Sequence, residues 1–386
     1  MSKPATGETI NVEVVDALNK IDPDAWDRLA GNDPFLRHGF LSGLEDTGCL
    51  SPQGWYPQHL VIYRGGALAG ALPLYIRDNS YGEFVFDWSW ADAYERAGGQ
   101  YYPKLVTAIP FSPVGGRRLL VDVESEDADT LCDVLVSAGV RACEDNELSS
   151  WHCLFPDDAA LDRFEHAGLM RRLGVQYHWF NQQYESFDHF LSQLTSKKRK
   201  QIKRERRLVA EQDIQIETLV GDEITAEHWS VFHRFYCSTF HRKWGEPRFT
   251  EEFFHSLNER LPGAPVLIVA KSGHEYVAGA CALQNGETMY GRHWGCAARY
   301  DNLHFELCYY RTIDFCIANG LRRLDAGAQG EHKLARGFVP VRTWSAHWIR
   351  DGGFRRAVDD FLRQERNGLE QYIESLDQHL AFRRSD

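Results

Sequence analysis

Apolar and polar positions along this chain fall into strand-like and helix-like patches, and the patches come twice in the same order. VEVVDALNKIDPDAWDRLAG predicts a strand and a short amphipathic helix, and PFLRHGFLSGLEDTG predicts a second helix that Gly48 ends. HLVIYRGGALAGALPLYIRD then predicts two strands joined by a Gly-Gly turn. After a long aromatic loop, DADTLCDVLVSAGVRACEDNELSSWHCLFP and LDRFEHAG through QYHWFNQQY each predict a helix feeding a strand. The second half repeats this grammar. IQIETLV predicts a strand, TAEHWSVFHRFYCSTF and FTEEFFHSLNERLPG predict helices, and APVLIVAKSGHEYVAGACALQNGETMYGRHW predicts three strands turning at Ser272-Gly273 and Asn285-Gly286. The hairpins align, VIYRGGALAGALPLYI on LIVAKSGHEYVAGACALQ, each with an Ala-Gly-Ala step after its turn. The pattern predicts an α/β protein built from a duplicated unit, with an N-terminal lobe at 1–180, a C-terminal lobe at 181–386 and a cleft between them.

Three further stretches complete the organisation. Phe305–Asn319 predicts a helix, LRRLDAGAQG a strand, and GAQGEHKLARGF a loop at that strand's end. The tail FRRAVDDFLRQERNGLEQYIESLDQHLAF predicts a closing helix or pair of helices. Between the lobes, residues 190–212 predict a helix with a mostly solvated face: eight of the twelve residues Ser196–Arg207 are Lys or Arg, and only Glu205 opposes them.

That run changes the reading of the charge. A net charge of −12 excludes a generic nucleic-acid binder, yet Lys197, Lys198, Arg199, Lys200, Lys203 and Arg204 are a candidate polyanion site for a tRNA backbone, a pyrophosphate-linked precursor or an anionic surface. The chain shows neither a signal peptide nor an apolar run long enough to span a bilayer, so a cytoplasmic protein is expected. Nine cysteines without a CxxC pair predict reduced thiols, and no His, Cys or carboxylate cluster has metal-ligand spacing.

Aromatic residues make up 13% of the chain and include eleven Trp. FDWSWADAYERAGGQYYPKL concentrates them and predicts a groove lined by Asp87, Trp88, Trp90, Asp92, Tyr94, Tyr101, Tyr102 and Lys104, suited to a glycan or peptide. Gly115-Gly116-Arg117-Arg118 is the nearest approach to a phosphate-cradling turn. In GRHWGC, strand alternation puts Arg292 and Trp294 on one face as an anion clamp and a stacking ring, with His293 on the other. HRKWG adds Arg242, Lys243 and Trp244 as a second cation–aromatic cluster. His304 and Glu306 are candidate general bases, since an attacking amine must lose a proton. Gln329, His332, Lys333 and Arg336 lie in a loop that offers amides and cations to an anion.

Taken together, FDWSWADAYERAGGQYYPKL, SKKRKQIKRERR, HRKWG, GRHWGC and HFELCYY with GAQGEHKLARGF resemble the FemAB-like group, from about Pro34 to Phe361. That group is described as N-acyltransferases of the peptidoglycan biosynthesis/recognition type. The resemblance implies tandem GNAT-like lobes with a central cleft and a closing helix that crosses back onto the first lobe. It implies transfer of an acyl or aminoacyl group to an amine of a peptide-like or cell-wall precursor acceptor, with aminoacyl-tRNA or acyl-CoA as donor and no bound cofactor. Lys333 best fits the position of the lysine that supports the oxyanion in Fem ligases, with Arg336 as the alternative. The alternatives are an acetyl-CoA-dependent N-acetyltransferase of a small amine and a non-catalytic glycan- or peptide-binding module. Against acetyl-CoA, ARYDNLHFELCYY lacks the glycine-rich turn with which GNAT enzymes hold a pyrophosphate.

Overall fold

The computed structural model describes residues 10–242, 245–327 and 330–383. The chain divides into two compact units, Met1–Gly174 with Thr343–Asn367, and Val175–Arg342 with Gly368–Asp386. A single cut near residue 180 would leave Thr343–Asn367 in the second lobe. These residues complete the first unit instead, because Ser345–Ile349 pairs antiparallel with Ser150–Leu154.

In the first unit Ile10–Val15, His59–Arg64 and Ala67–Leu72 form an antiparallel meander with the short strand Leu120–Val121 at its edge. The strand segments Ser345–Ile349, Ser150–Leu154, Lys104–Thr107, Tyr75–Arg77 and Trp55–Pro57 neighbour one another in that order. The helix Ala128–Asp145 buries Leu131, Leu135 and Val136 in one cluster with Leu60, Ile62, Leu72 and Trp151. Gly139 permits this approach, since a Cβ there would fall 2.5 Å from the Trp151 ring.

In the second unit Ile214–Val220, Pro265–Ser272, Glu275–Gln284 and Thr288–Cys296 run antiparallel. Arg323–Asp325 pairs parallel with Thr288–Tyr290, and His178–Phe180 pairs antiparallel with Arg323–Asp325. The helix Ala226–His241 presses on the sheet so closely that a Cβ at Gly295 would lie 2.1 Å from the Phe235 carbonyl oxygen. Tyr310, Ile313 and Cys316, from the helical stretch Leu303–Ala318, bury against Met289 and Leu324.

Both units place a strand, two helices and a hairpin in that order, and in both the leading strand pairs antiparallel with the hairpin's first strand. Each of those first strands also shifts register near its turn, at Ile62/Tyr63 and at Ala270/Lys271. They diverge after the hairpin. The second unit turns at Asn285-Gly286 into the long strand Thr288–Cys296, whereas residues 73–119 intervene before the two-residue Leu120–Val121 in the first. Among the described residues no helix is long and apolar enough to cross a membrane.

Candidate active site

The pairing of Glu275–Gln284 with Thr288–Cys296 slips between Cys281 and Ala282: Cys281 faces His293, Ala282 faces Gly291, and Arg292 is the extra residue of a bulge. Beyond Tyr290 and Asp325 the ladder to Arg323–Asp325 ends. A cavity of about 100 Å³ lies there, lined by Cys281, Arg292, Trp294, His304, Cys308, Tyr309 and Ala326 among others. His293 packs edge-on against Tyr236 and Phe249, each at 5.0 Å, while Trp294 meets His304 at 5.3 Å. Arg292 is buried, and the carboxylate it holds is the chain's own: its Nη2 lies 3.1 Å from Asp325 Oδ1. Asp325 also accepts the Gly327 N–H at 2.9 Å. Burial works to raise the Asp325 carboxyl, but Arg292 and then His178 outweigh it and hold it below the usual range.

The loop expected at Gly327–Phe338 contains a 3-10 turn, Glu331–Arg336, and Gln329 lies outside the described residues. Lys333 is buried, and its Nζ donates to the carbonyls of Ala326 at 2.8 Å and Gly327 at 2.7 Å. Burial pushes its ammonium down to about 8, against the upward pull of Asp325, and the charge of Arg292 adds to the fall. His332 bonds through Nε2 to the Tyr309 hydroxyl at 2.9 Å, and burial, then Arg336 and Lys333, lowers it.

Arg336 is tied into the chain by most of its donors. Its Nε donates to Tyr310 Oη at 3.0 Å, Nη1 to the His332 carbonyl at 2.8 Å and Nη2 to both Glu205 oxygens, and the guanidinium lies 3.5 Å from the Phe305 ring centre. His304 and Glu306 are not brought together. Two residues apart on a helix they point different ways: His304 lines the cavity, whereas Glu306 is buried between Arg206 and Arg311, each at 3.1 Å.

The basic segment is the helix Ser196–Ala210, with Ile202 and Val209 buried. Lys203 pairs with Asp188 and Arg207 with Glu211, while Lys197, Lys198, Lys200 and Arg204 have no acidic partner among the described residues. Arg199 donates to the Leu194 carbonyl.

In the first unit the expected groove is largely replaced by core. Trp88–Arg96 is a helix, because Trp90, Ala91 and Tyr94 share one face and pack in a cluster with Tyr101 and Ile349. Trp90 is therefore a core residue. Asp87 and Lys104 are buried too, with Lys104 Nζ donating to Ser80 Oγ at 2.7 Å, Glu83 Oε2 at 2.8 Å and Asp87 Oδ2 at 2.6 Å. Asp92 is exposed and pairs with Arg96, Tyr94 packs on Phe354, and the Tyr102 hydroxyl bonds to Ser80. Of the expected groove residues, Trp88 exposes its ring, as do Tyr81 and Phe86 beside it. Arg118, buried, donates to the carbonyls of Leu154, Arg117 and Val114, so the Gly-Gly-Arg-Arg turn serves the backbone and not a phosphate. Arg242 contacts Cys296 Sγ, and Lys243 and Trp244 lie outside the described residues.

Asp325, the partner of Arg292 and the charge that pulls the Lys333 ammonium upward against its burial, is not among the residues expected from the sequence. Nor are Cys281 and Cys308 in the cavity wall. A carboxylate closing the strand LRRLD, just before a glycine-rich loop, is the signal that points to the first of these. Among the described residues no group of three or more His, Cys, Asp or Glu is placed to hold a metal ion.

Solved structures of other proteins are similar to this chain. The crystal structure of FemX superposes with a TM-score of 0.52 at 12% identity, over 82% of this chain and 93% of that one. The C-terminal domain of a putative lysylphosphatidylglycerol synthetase from Agrobacterium fabrum gives 0.50 at 8% identity, over 87% and 95%. A tandem GNAT protein from the clavulanic acid biosynthesis pathway gives 0.43 at 10% identity, over 88% and 98%. No curated protein sequence matches. At such identities the first two likenesses establish the fold, a tandem GNAT-like α/β arrangement, and no more. The model of the family described as peptidoglycan biosynthesis/recognition matches residues 17–384, nearly the whole chain, and on that match the protein belongs to the FemAB-like family.

Proposed function

We propose that the second unit carries the reaction centre of an N-acyltransferase that moves an acyl or aminoacyl group to an amine of a peptide-like, cell-wall-related acceptor. The observation that carries this reading is Lys333: a buried ammonium with two N–H groups given to the Ala326 and Gly327 carbonyls, next to residues that wall a cavity of about 100 Å³. When the amine nitrogen attacks the acyl carbon, a C–N bond forms and the carbonyl oxygen becomes an oxyanion. The third N–H of Lys333 is the donor for that oxygen. Collapse breaks the bond to the donor's oxygen or sulfur, which leaves with a proton, and the nitrogen gives up one proton. His304, on the cavity wall, is the candidate to receive it and to pass it to the leaving atom.

The unpartnered cations of the basic helix support a polyanionic donor, and aminoacyl-tRNA is the form of acyl donor that brings a long phosphate backbone. The test supplies charged tRNA or acetyl-CoA together with a peptidoglycan precursor and follows amide formation. Lys333→Ala is expected to lower turnover about a hundredfold or more, with the melting transition retained. Equal turnover in Lys333→Ala removes the lysine from the mechanism, and turnover with acetyl-CoA alone replaces the donor.

A further inference from the structure

Residues 78–87, which lead into the helix Trp88–Arg96, have no regular secondary structure, yet three buried or half-buried cations hold them. Arg77 donates to the Tyr81 carbonyl at 2.8 Å, to Asn79 Oδ1 at 3.0 Å and to Glu83 Oε1 at 3.2 Å, and stacks 4.0 Å from the Trp55 ring centre. Lys104 ties down Ser80, Glu83 and Asp87, and Arg172 Nη1 donates to the Phe86 carbonyl at 2.7 Å. A loop anchored at this many points presents its outward side chains in a fixed arrangement.

Those side chains are aromatic. Tyr81 is 64% exposed, and Phe86 and Trp88 are 47% exposed each. The rings touch: Phe86 and Trp88 lie 4.8 Å apart at 30°, and Tyr81 and Trp88 lie 5.9 Å apart at 52°. An exposed ring cluster of this kind marks a binding surface, and its anchoring lowers the entropy lost when a ligand docks. The rim selects the ligand. The exposed polar side chains of residues 78–92 are Asp78, which accepts from the Tyr56 hydroxyl, Ser89, and Asp92, which pairs with Arg96, and their oxygens can accept further hydrogen bonds from hydroxyl groups. No aliphatic side chain of residues 78–92 is fully exposed, as a protein partner's apolar core would require.

We propose that Tyr81, Phe86 and Trp88 form a preformed stacking platform for a neutral saccharide ring, an amino sugar of the cell-wall type, whose C–H face lies on the rings while its hydroxyls reach Asp78, Ser89 or Asp92. The proposal rests on the cell-wall reading above for the choice of sugar and deepens it by naming the acceptor's saccharide as what the first unit recognises.

Isothermal titration of the full chain with chitotetraose, with a sugar-free stem peptide and with inorganic pyrophosphate tests it. Wild type is expected to bind chitotetraose, and Trp88→Ala to weaken that binding at least about tenfold. Phe361→Ala removes another exposed ring in the first unit and should leave binding unchanged. Trp88 is half exposed, so thermal melting of Trp88→Ala should match wild type and separate lost stacking from lost fold. Failure of chitotetraose to bind, equal binding by Trp88→Ala, or binding of the stem peptide or pyrophosphate in its place overturns the platform. If the wild-type chain binds chitotetraose but forms no amide in the transfer assay above, the reaction is overturned and the platform stands.

Discussion

Lys333 gives two of its three N–H groups to backbone carbonyls, which leaves one direction in which it can act. That direction is useful to an oxyanion only while the nitrogen carries its third proton. Since burial brings the ammonium down to about 8, turnover is expected to hold below that pH and to fall as pH rises through it, a limb that a log(kcat) profile would display. A flat profile from pH 7 to 9.5 would take Lys333 out of the chemistry. The loop around this lysine was legible in the sequence, because glycines and cations at a strand's end are a local pattern. The partner that fixes Arg292 was not, since Asp325 lies 33 positions away and only the parallel pairing of two strands brings them together. Arg336 shows the same limit in reverse: a cation placed well in sequence has its donors committed to residues elsewhere.

At the scale of elements, the basic helix depends on its one acid. Glu205 accepts from Arg336 and from the Tyr310 hydroxyl, and so ties the helix to the turn that carries Lys333. Breaking a buried pair strands the remaining charge, so Arg336→Ala is expected to cost about 3–5 kcal/mol in urea denaturation. In a double-mutant cycle, adding Glu205→Ala should recover part of that loss; strict additivity would show that the pair does not hold the helix. The exposed cations answer to salt. If they meet a phosphate backbone, removing Lys197 and Lys200 should weaken tRNA binding and lower the slope of log K against log[salt] by about 1.4–1.8 in all. Helical periodicity and charge made this element readable, including Glu205 as the exception. The helix Trp88–Arg96 was not read, because its aromatic, polar composition masks the face formed by Trp90, Ala91 and Tyr94.

Across the whole molecule, loss of solvent around the ring pushes four histidines down, three of them buried and His293 partly so: His152 and His293 to about 3, His178 to about 4, and His347 well below its ordinary value. Because the folded state resists protonation, their contribution to stability is full above the unfolded value of about 6.5 and is lost as pH falls below it, by up to about 1.4 kcal/mol per pH unit for each. His152 and His347 belong to the first unit and His178 and His293 to the second, so calorimetry between pH 7 and 5 should show the melting of both units falling. A melting temperature unchanged over that range would mean that these groups are not buried as described. The duplication was legible because strand, helix, helix and hairpin are local patterns repeated in order. The return of Thr343–Asn367 to the first unit was not legible from periodicity, since a strand's own residues do not name its neighbour.

That return has a consequence for how the chain is made. When residues 1–180 have left the ribosome, Ser150–Leu154 still lacks the neighbour that Ser345–Ile349 will provide, and one of its edges stays unpaired until that strand has followed, about 190 residues later in the chain. The nascent protein therefore carries an open strand edge from the emergence of residue 154 until residue 349 follows, and a chain that stops before residue 343 would be prone to aggregate.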